Sequence, residues 1–208
     1  MDRGYIYVNK NNFRHNIDYL NNLTDSELCI VVKANAYGHG IDWTVNTAID
    51  SGVVWFAVAT IDEAILVRSI SDDIRILLLS EPAVSELEKL AIHNIDTTVY
   101  NETFIEALGE SQHSFNVHLK IDTGMHRVGC SPDKFDMLYE KISSFNNLAL
   151  EGICTHFPVA DTDERQTNHS VKIFKETISA VDIENLLIHA DNSASTTYNN
   201  EKIFNMTR

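Results

Sequence analysis

Eight short runs rich in β-branched and large apolar residues recur along the chain, and the segments between them carry helical periodicity. The runs are CIVVKA at 29–34, VVWFAVA at 53–59, IRILLLS at 74–80, IDTTVY at 95–100, FNVHLKID at 115–122, LALEGICTHF at 148–157, LLIHADN at 186–192 and, more weakly, IFNMT at 203–207. A strand that is apolar continuously, and not at every second residue, is buried on both faces, as in a parallel sheet covered by helices. EPAVSELEKLAIHN at 81–94 illustrates the intervening pieces. Val84, Leu87, Leu90 and Ala91 fall at spacings of three, four and seven, with Pro82 and a cluster of acids near the start, a pattern that predicts a helix. Eight strand-then-helix units predict a closed (β/α)8 barrel of the TIM type; the competing arrangement is an open doubly wound sheet. No linker, internal repeat or low-complexity segment divides residues 1–208, so a single domain is expected. YIYVN at 5–9 is strand-like but precedes the eight runs and has no place among them.

Charge narrows the partners. Sixteen Lys and Arg stand against thirty Asp and Glu, a formal charge of −14, which argues against binding to nucleic acid or an anionic membrane. A small molecule or another protein is the expected partner, and each cation kept at the end of a buried strand needs something to neutralise. Cys29, Cys130 and Cys154 are odd in number and widely spaced, so they read as small core residues in a reducing compartment and not as a zinc site or disulfide framework. Neither a membrane-length apolar run nor a signal peptide is visible, and a cytoplasmic location is the expectation.

On the predicted barrel, polar residues collect at one end of the strands. Lys33 closes the first, Arg127 follows the fifth, His156 closes the sixth, His189, Asn192 and Ser193 close the seventh, and Arg208 closes the eighth. C-terminal strand ends form the barrel face where active sites are built. Taken singly, Lys33 reads equally well as a surface lysine with its stem on apolar residues, and each histidine as a hydrogen-bonded core residue. Their shared address favours chemistry, and Gly38 and Gly40 beside Lys33 permit close approach of backbone to a ligand, where an amine can attack an aldehyde. The remaining histidines show no HxH or HExxH spacing and no metal is assigned. Asp122 and Asp161 are read as structural.

Seven segments together resemble the alanine racemases, pyridoxal 5'-phosphate (PLP) enzymes of fold type III. They are RGYIYVNKNNFRHNI at 3–17, VVKANAYGHG at 31–40, FAVATIDEAILVR at 56–68, HLKIDTGMHRVG at 118–129, EGICTHFPVAD at 151–161, HADNSAS at 189–195 and NMTR at 205–208. The resemblance implies that Lys33 attaches to PLP and then acts as the base on one face of the substrate α-carbon. It places Tyr37 and Ser193 on the cofactor phosphate, Arg208 against the pyridine nitrogen with His189 holding it, His156 against the ring and Asn192 near it. Arg127 would meet the phenolic oxygen and the substrate carboxylate, Met125 would offer its amide to that carboxylate, and Lys120 matches a lysine carbamylated in some members.

The resemblance also implies what lies outside these residues: further phosphate-binding amides, and a second, mostly β domain whose tyrosine reaches the site of a partner subunit in a homodimer. Residues 1–208 are therefore expected to be the N-terminal barrel, cut after strand eight and inactive or weakly active alone. L- and D-alanine, feeding cell-wall precursors, are the implied substrates. Two alternatives are a serine racemase of the vancomycin-resistance type and a non-catalytic, single-domain PLP-binding protein.

Overall fold

A computed structural model of the chain describes residue 4 and residues 6–190, 192–198 and 204–208. Parts of the expected strand-like runs at 5–9, 186–192 and 203–207 (Tyr5, Asp191 and Ile203) lie outside the described residues.

The elements alternate as the runs predict. In order they are α1 (Lys10–Leu23), β1 (Glu27–Val31), α2 (Ile41–Asp50), β2 (Trp55–Val58), α3 (Ile61–Arg68), β3 (Arg75–Leu78), α4 (Leu87–Ile92), β4 (Asp96–Val99) and α5 (Glu102–Gly109). Then come β5 (Phe115–Lys120), α6 (Phe135–Ser143), β6 (Leu148–Cys154), α7 (Glu164–Thr177), β7 (Leu187–His189), α8 (Ser193–Tyr198) and β8 (Met206–Thr207). The strands form a closed barrel in sequence order, every pair parallel. β8 closes it by pairing Met206 with Glu27 and Thr207 with Leu28, and closure rules out the open sheet.

Local chemistry sets the helix starts. Asn9, Thr60, Asn101 and Asp163 each accept backbone N–H groups at the first turns of α1, α3, α5 and α7, satisfying donors that have no partner within the helix. The stretch at 81–94 departs from its expected single helix. Val84–Glu86 form a 3-10 turn before α4 begins, and its three residues per turn rotate Val84 away from the face of Leu87 and Leu90. Val84 is 55% exposed while Leu90 is fully buried. At 6–9 no strand forms, and Ile6 and Tyr7 are exposed.

The main core lies between strands and helices, around Phe56, Ile76, Leu78, Leu119 and Ile153. A second cluster of Cys29, Trp55, Ala57, Leu77 and Met206 fills part of the barrel interior. The rest of that interior is polar: Asp96, Thr98, His118, Lys120 and His189 are all buried. All three cysteines are buried and free, as expected of core residues. Among the described residues no helix is long and apolar enough to cross a membrane, and no group of His, Cys, Asp and Glu is arranged to hold a metal.

Gly129 shows how tightly the mouth of the barrel is built. Its φ is +138° and a Cβ there would sit 2.7 Å from the Asp122 nitrogen, next to the Ile121–Cys130 bridge that folds the β5–α6 loop back on itself. Gly129→Ala is expected to cost about 3 kcal/mol, read as a lowered urea midpoint with an unchanged m-value.

Candidate functional site

Lys33 stands two residues beyond β1 and begins a turn of unusual hand. Ala34, Asn35, Ala36 and Tyr37 have φ of 51°, 55°, 53° and 52°, a left-handed turn of non-glycine residues that costs roughly 1–2 kcal/mol per residue. The surroundings hold it. The Ala34 N–H donates to Glu63 Oε1 at 2.7 Å, while Glu63 Oε2 accepts from Ala59 and Thr60 at 2.9 and 3.2 Å. The Asn35 side chain accepts from the Ile41 N–H at 2.8 Å, and Gly38, itself at φ 81°, donates back to the Ala34 and Asn35 carbonyls. Lys33 Nζ lies 6.0 Å from the centre of the exposed Tyr37 ring. Burial, opposed by the charge of Arg127, raises the Tyr37 pKa.

The loop after β5 carries the next group. Lys120 ends β5 with its side chain turned into the barrel and is 4% exposed. Asp122 Oδ1 accepts the N–H groups of Gly124, Met125 and His126 at 2.9, 3.0 and 3.0 Å. Against burial, which raises its pKa, these bonds hold the Asp122 carboxyl below its usual value. Asp122 is thus a structural organiser of the loop that presents Arg127. The Met125 amide, to which the resemblance gives a substrate carboxylate, is engaged by Asp122 here.

From the other side come His156, two residues past β6, His189 at the end of β7, and Arg208 immediately after β8. Arg208 Nη2 donates to the Thr155 carbonyl at 2.7 Å, and its Nε is buried without a hydrogen-bond partner. His189 is fully buried beneath the mouth. Asn192 caps α8, its side-chain oxygen accepting from Ala194 and Ser195 at 3.1 Å each. Ser193 is exposed to the cavity.

Eight of the ten residues singled out from sequence line one cavity of about 890 Å3: Lys33, Tyr37, Lys120, Arg127, His156, Asn192, Ser193 and Arg208. Met125 borders a small adjoining recess shared with Lys120, Arg127 and His156, and His189 lies below the floor. The charge in this cavity is one-sided. Lys33, Lys120, Arg127 and Arg208 line it, and no Asp or Glu is among the described lining residues. Burial and the neighbouring Arg208, Arg127 and Lys33, opposed by Cys154, lower the Lys120 pKa. His156 is pushed down to about 4 by burial and by Arg208, Lys120, Arg127 and Lys33. His189 is likewise held well below its ordinary value by burial and by the charge of Arg208.

Such an arrangement fits an anionic, planar, carbonyl-bearing group. Among the described residues the buried Arg208 Nε has no acceptor and the cavity lining offers the cations no carboxylate, while Lys33 supplies an amine at the rim. Sequence reading missed Glu63, which braces the left-handed turn; an acid three residues after Thr60 announces a capping box, but not that its second oxygen reaches across to the turn after β1. It also passed over His118, two residues before Lys120 on the inward face of β5, although period-two alternation puts both inside the barrel.

Fold and site together define a (β/α)8 barrel whose C-terminal mouth gathers four cations around one cavity, with a lysine at its edge. The chain belongs to the family described as alanine racemase, N-terminal domain, whose model matches residues 8–208. An alanine racemase of Treponema denticola is 37% identical over 97% of this chain and 56% of its own length. Solved alanine racemases from E. faecalis and Clostridium difficile, each 29% identical, superimpose with TM-scores of 0.88 and 0.89, covering 97% and 98% of this chain and 57% and 58% of theirs. The chain therefore spans little more than half the length of the relatives it matches.

Two outcomes are expected from the site's geometry. Glu63→Ala removes three backbone acceptor contacts at once and should destabilise the protein by about 2 kcal/mol, measured by urea unfolding. The depressed His156 pKa has a defined sign: below the usual 6.5 the unfolded chain binds a proton that the folded protein refuses until about 4. Stability should fall as pH drops through that window, and His156→Gln should flatten part of the fall in the urea midpoint.

Proposed function

We propose that residues 1–208 are the cofactor-binding barrel of a cytoplasmic, PLP-dependent alanine racemase that interconverts L- and D-alanine, completed by a second, mostly β domain and a partner subunit. The observation that carries this reading is the cavity itself: four cations, no carboxylate among its described lining residues, and an amine at the strand end, in a chain of net charge −14. Family membership and relatives named as alanine racemases support the choice of substrate. Exposed Ile6 and Tyr7 ahead of α1 suit packing against the second domain.

PLP, when bound, supplies a conjugated electron sink that makes the α-proton of an attached amino acid removable. Lys33 would hold it through Nζ and would serve as the base for the α-proton on one face of the substrate. Tyr37 and Ser193 would hold the phosphate. His156, kept neutral, would pack against the ring, and Asn192 would line its edge. Arg208 would offer its unpaired Nε to the ring nitrogen and, because a guanidinium gives up no proton near neutral pH, would leave that nitrogen unprotonated, the condition that favours racemisation.

Arg127 pairs with the substrate carboxylate; the Met125 amide joins it only by releasing Asp122. The lowered pKa of Lys120 leaves a larger share of neutral amine, the form that adds carbon dioxide, and carbamylation there would convert one of four cations into an anion beside Arg127.

Titration with PLP should produce a Lys33-dependent absorbance band, absent in Lys33→Ala. In the whole protein that substitution should lower racemisation of alanine by roughly 10³-fold. A band that survives in Lys33→Ala, or that never forms in the wild type, would sink the proposal.

A further inference from the structure

A line of polar side chains descends from the cavity floor through the barrel interior, and the site described above accounts only for its top. His189 Nε2 lies 2.9 Å from His118 Nδ1, the two rings edge to face at 69°. His118 Nε2 stands 3.8 Å from Asp96 Oδ2. Asp96 is held in turn by Arg75 Nη2 at 2.6 Å and by the Asn116 side-chain amide at 3.2 Å. Arg75 itself stacks 4.5 Å from the Trp55 ring and reaches Glu151 at 3.4 Å. His118 and His189 are fully buried and Asp96 is 1% exposed.

This line is built for the pair. The β5–β6 register shifts between Val117 and His118, bringing Gly152 opposite the histidine. A Cβ on Gly152 would come within 2.5 Å of His118 Nδ1, so glycine makes the room in which the two rings meet.

Proton positions along the line are constrained from both ends. A neutral imidazole has one N–H and one lone pair, and a single proton must lie between His118 Nδ1 and His189 Nε2. At the lower end the Asp96 carboxylate favours an N–H on His118 Nε2, which leaves its Nδ1 as an acceptor. At the upper end Arg208 leaves β8 two residues after Met206, the partner of His189 in the barrel. Its guanidinium is fastened to the carbonyl of Thr155, whose own N–H donates to the His189 carbonyl at 3.1 Å. Arg208 is also the principal charge disfavouring a second proton on His189. Beside a cation that can only donate, the buried and unpartnered His189 Nδ1 is favoured as a lone pair.

We propose that Asp96 and His118 are positioning residues that fix the proton of His189 on Nε2, so that Nδ1 is presented as an acceptor to the arginine above it. Donor direction then runs one way down the barrel, His189 donating to His118 and His118 turning its own N–H towards Asp96. A carboxylate near the bottom of the barrel thereby sets which His189 nitrogen carries a lone pair towards the mouth, without touching any ligand. Its consequence for cofactor binding rests on the function proposed above; the tautomers do not.

The test is long-range 1H–15N correlation NMR of the intact, histidine-labelled protein without ligand. His118 and His189 should both appear neutral, protonated at Nε2 and bare at Nδ1. In Asp96→Asn the inverse tautomer should become populated at both rings, and PLP affinity should fall roughly three- to tenfold while a Lys33-dependent band still forms at saturation. Gly152→Ala, which crowds His118 off its partner, should move the same resonances. A wild-type His189 protonated at Nδ1 overturns the proposal, as does an unchanged pair of tautomers in folded Asp96→Asn. Should Asp96→Asn fail to fold, the wild-type spectrum alone decides. Absence of the wild-type PLP band would remove the functional reading and leave the tautomer result standing.

Discussion

Closure of the barrel by β8 is the contact on which the site depends. Two residues, Met206 and Thr207, complete the ring by pairing with Glu27 and Leu28 of β1, reinforced by the Glu27 N–H donating to the Asn205 carbonyl at 2.9 Å. This seam sets Arg208 and Lys33 around a common cavity although 175 positions separate them in the chain. Parallel strands put all their C-terminal ends on one face, and a ring brings the first and last of them together.

Positive charge gathered at the mouth has a cost that the rest of the molecule offsets. Lys120 sits in a nearly dry position among three other cations, and burial together with that repulsion depresses its pKa. A left-handed turn of four non-glycine residues beside Lys33 adds backbone strain, retained because Glu63 and Asn35 over-determine it. Strain and one-signed charge are thus concentrated in one place within an otherwise regular barrel, the pattern that marks functional sites.

The barrel interior is unusual for being only partly apolar. Its apolar cluster of Cys29, Trp55, Ala57, Leu77 and Met206 shares the space with Asp96, His118, Lys120 and His189. Asp96, His118 and His189 are linked in a line, from the Arg75–Asp96 ion pair at one end to the hydrogen-bonded His118–His189 pair beneath the mouth. Arg75 at the lower end, joined to Asp96, Glu151 and Trp55, keeps the buried carboxylate from being an uncompensated charge.

How much was legible in the sequence follows from which interactions are local. Apolar runs such as IRILLLS act over a few neighbours, so strand count and barrel architecture could be read directly. The same runs put Lys33 at the end of the first strand and Arg127 in the loop after the fifth. Val84 was misplaced because a 3-10 turn has a different period from the helix it introduces. Glu63 bracing Ala34, the His118–His189 contact, the left-handed φ values of Ala34 to Tyr37 and the engagement of Met125 by Asp122 needed the folded chain. Each depends on barrel closure and on inter-strand register, such as the shift that seats His118 over Gly152. By itself the sequence determined which side chains point inward and at which end they stand; tertiary structure alone decided which of them meet, because the ring of strands, and not chain proximity, sets the distances between them.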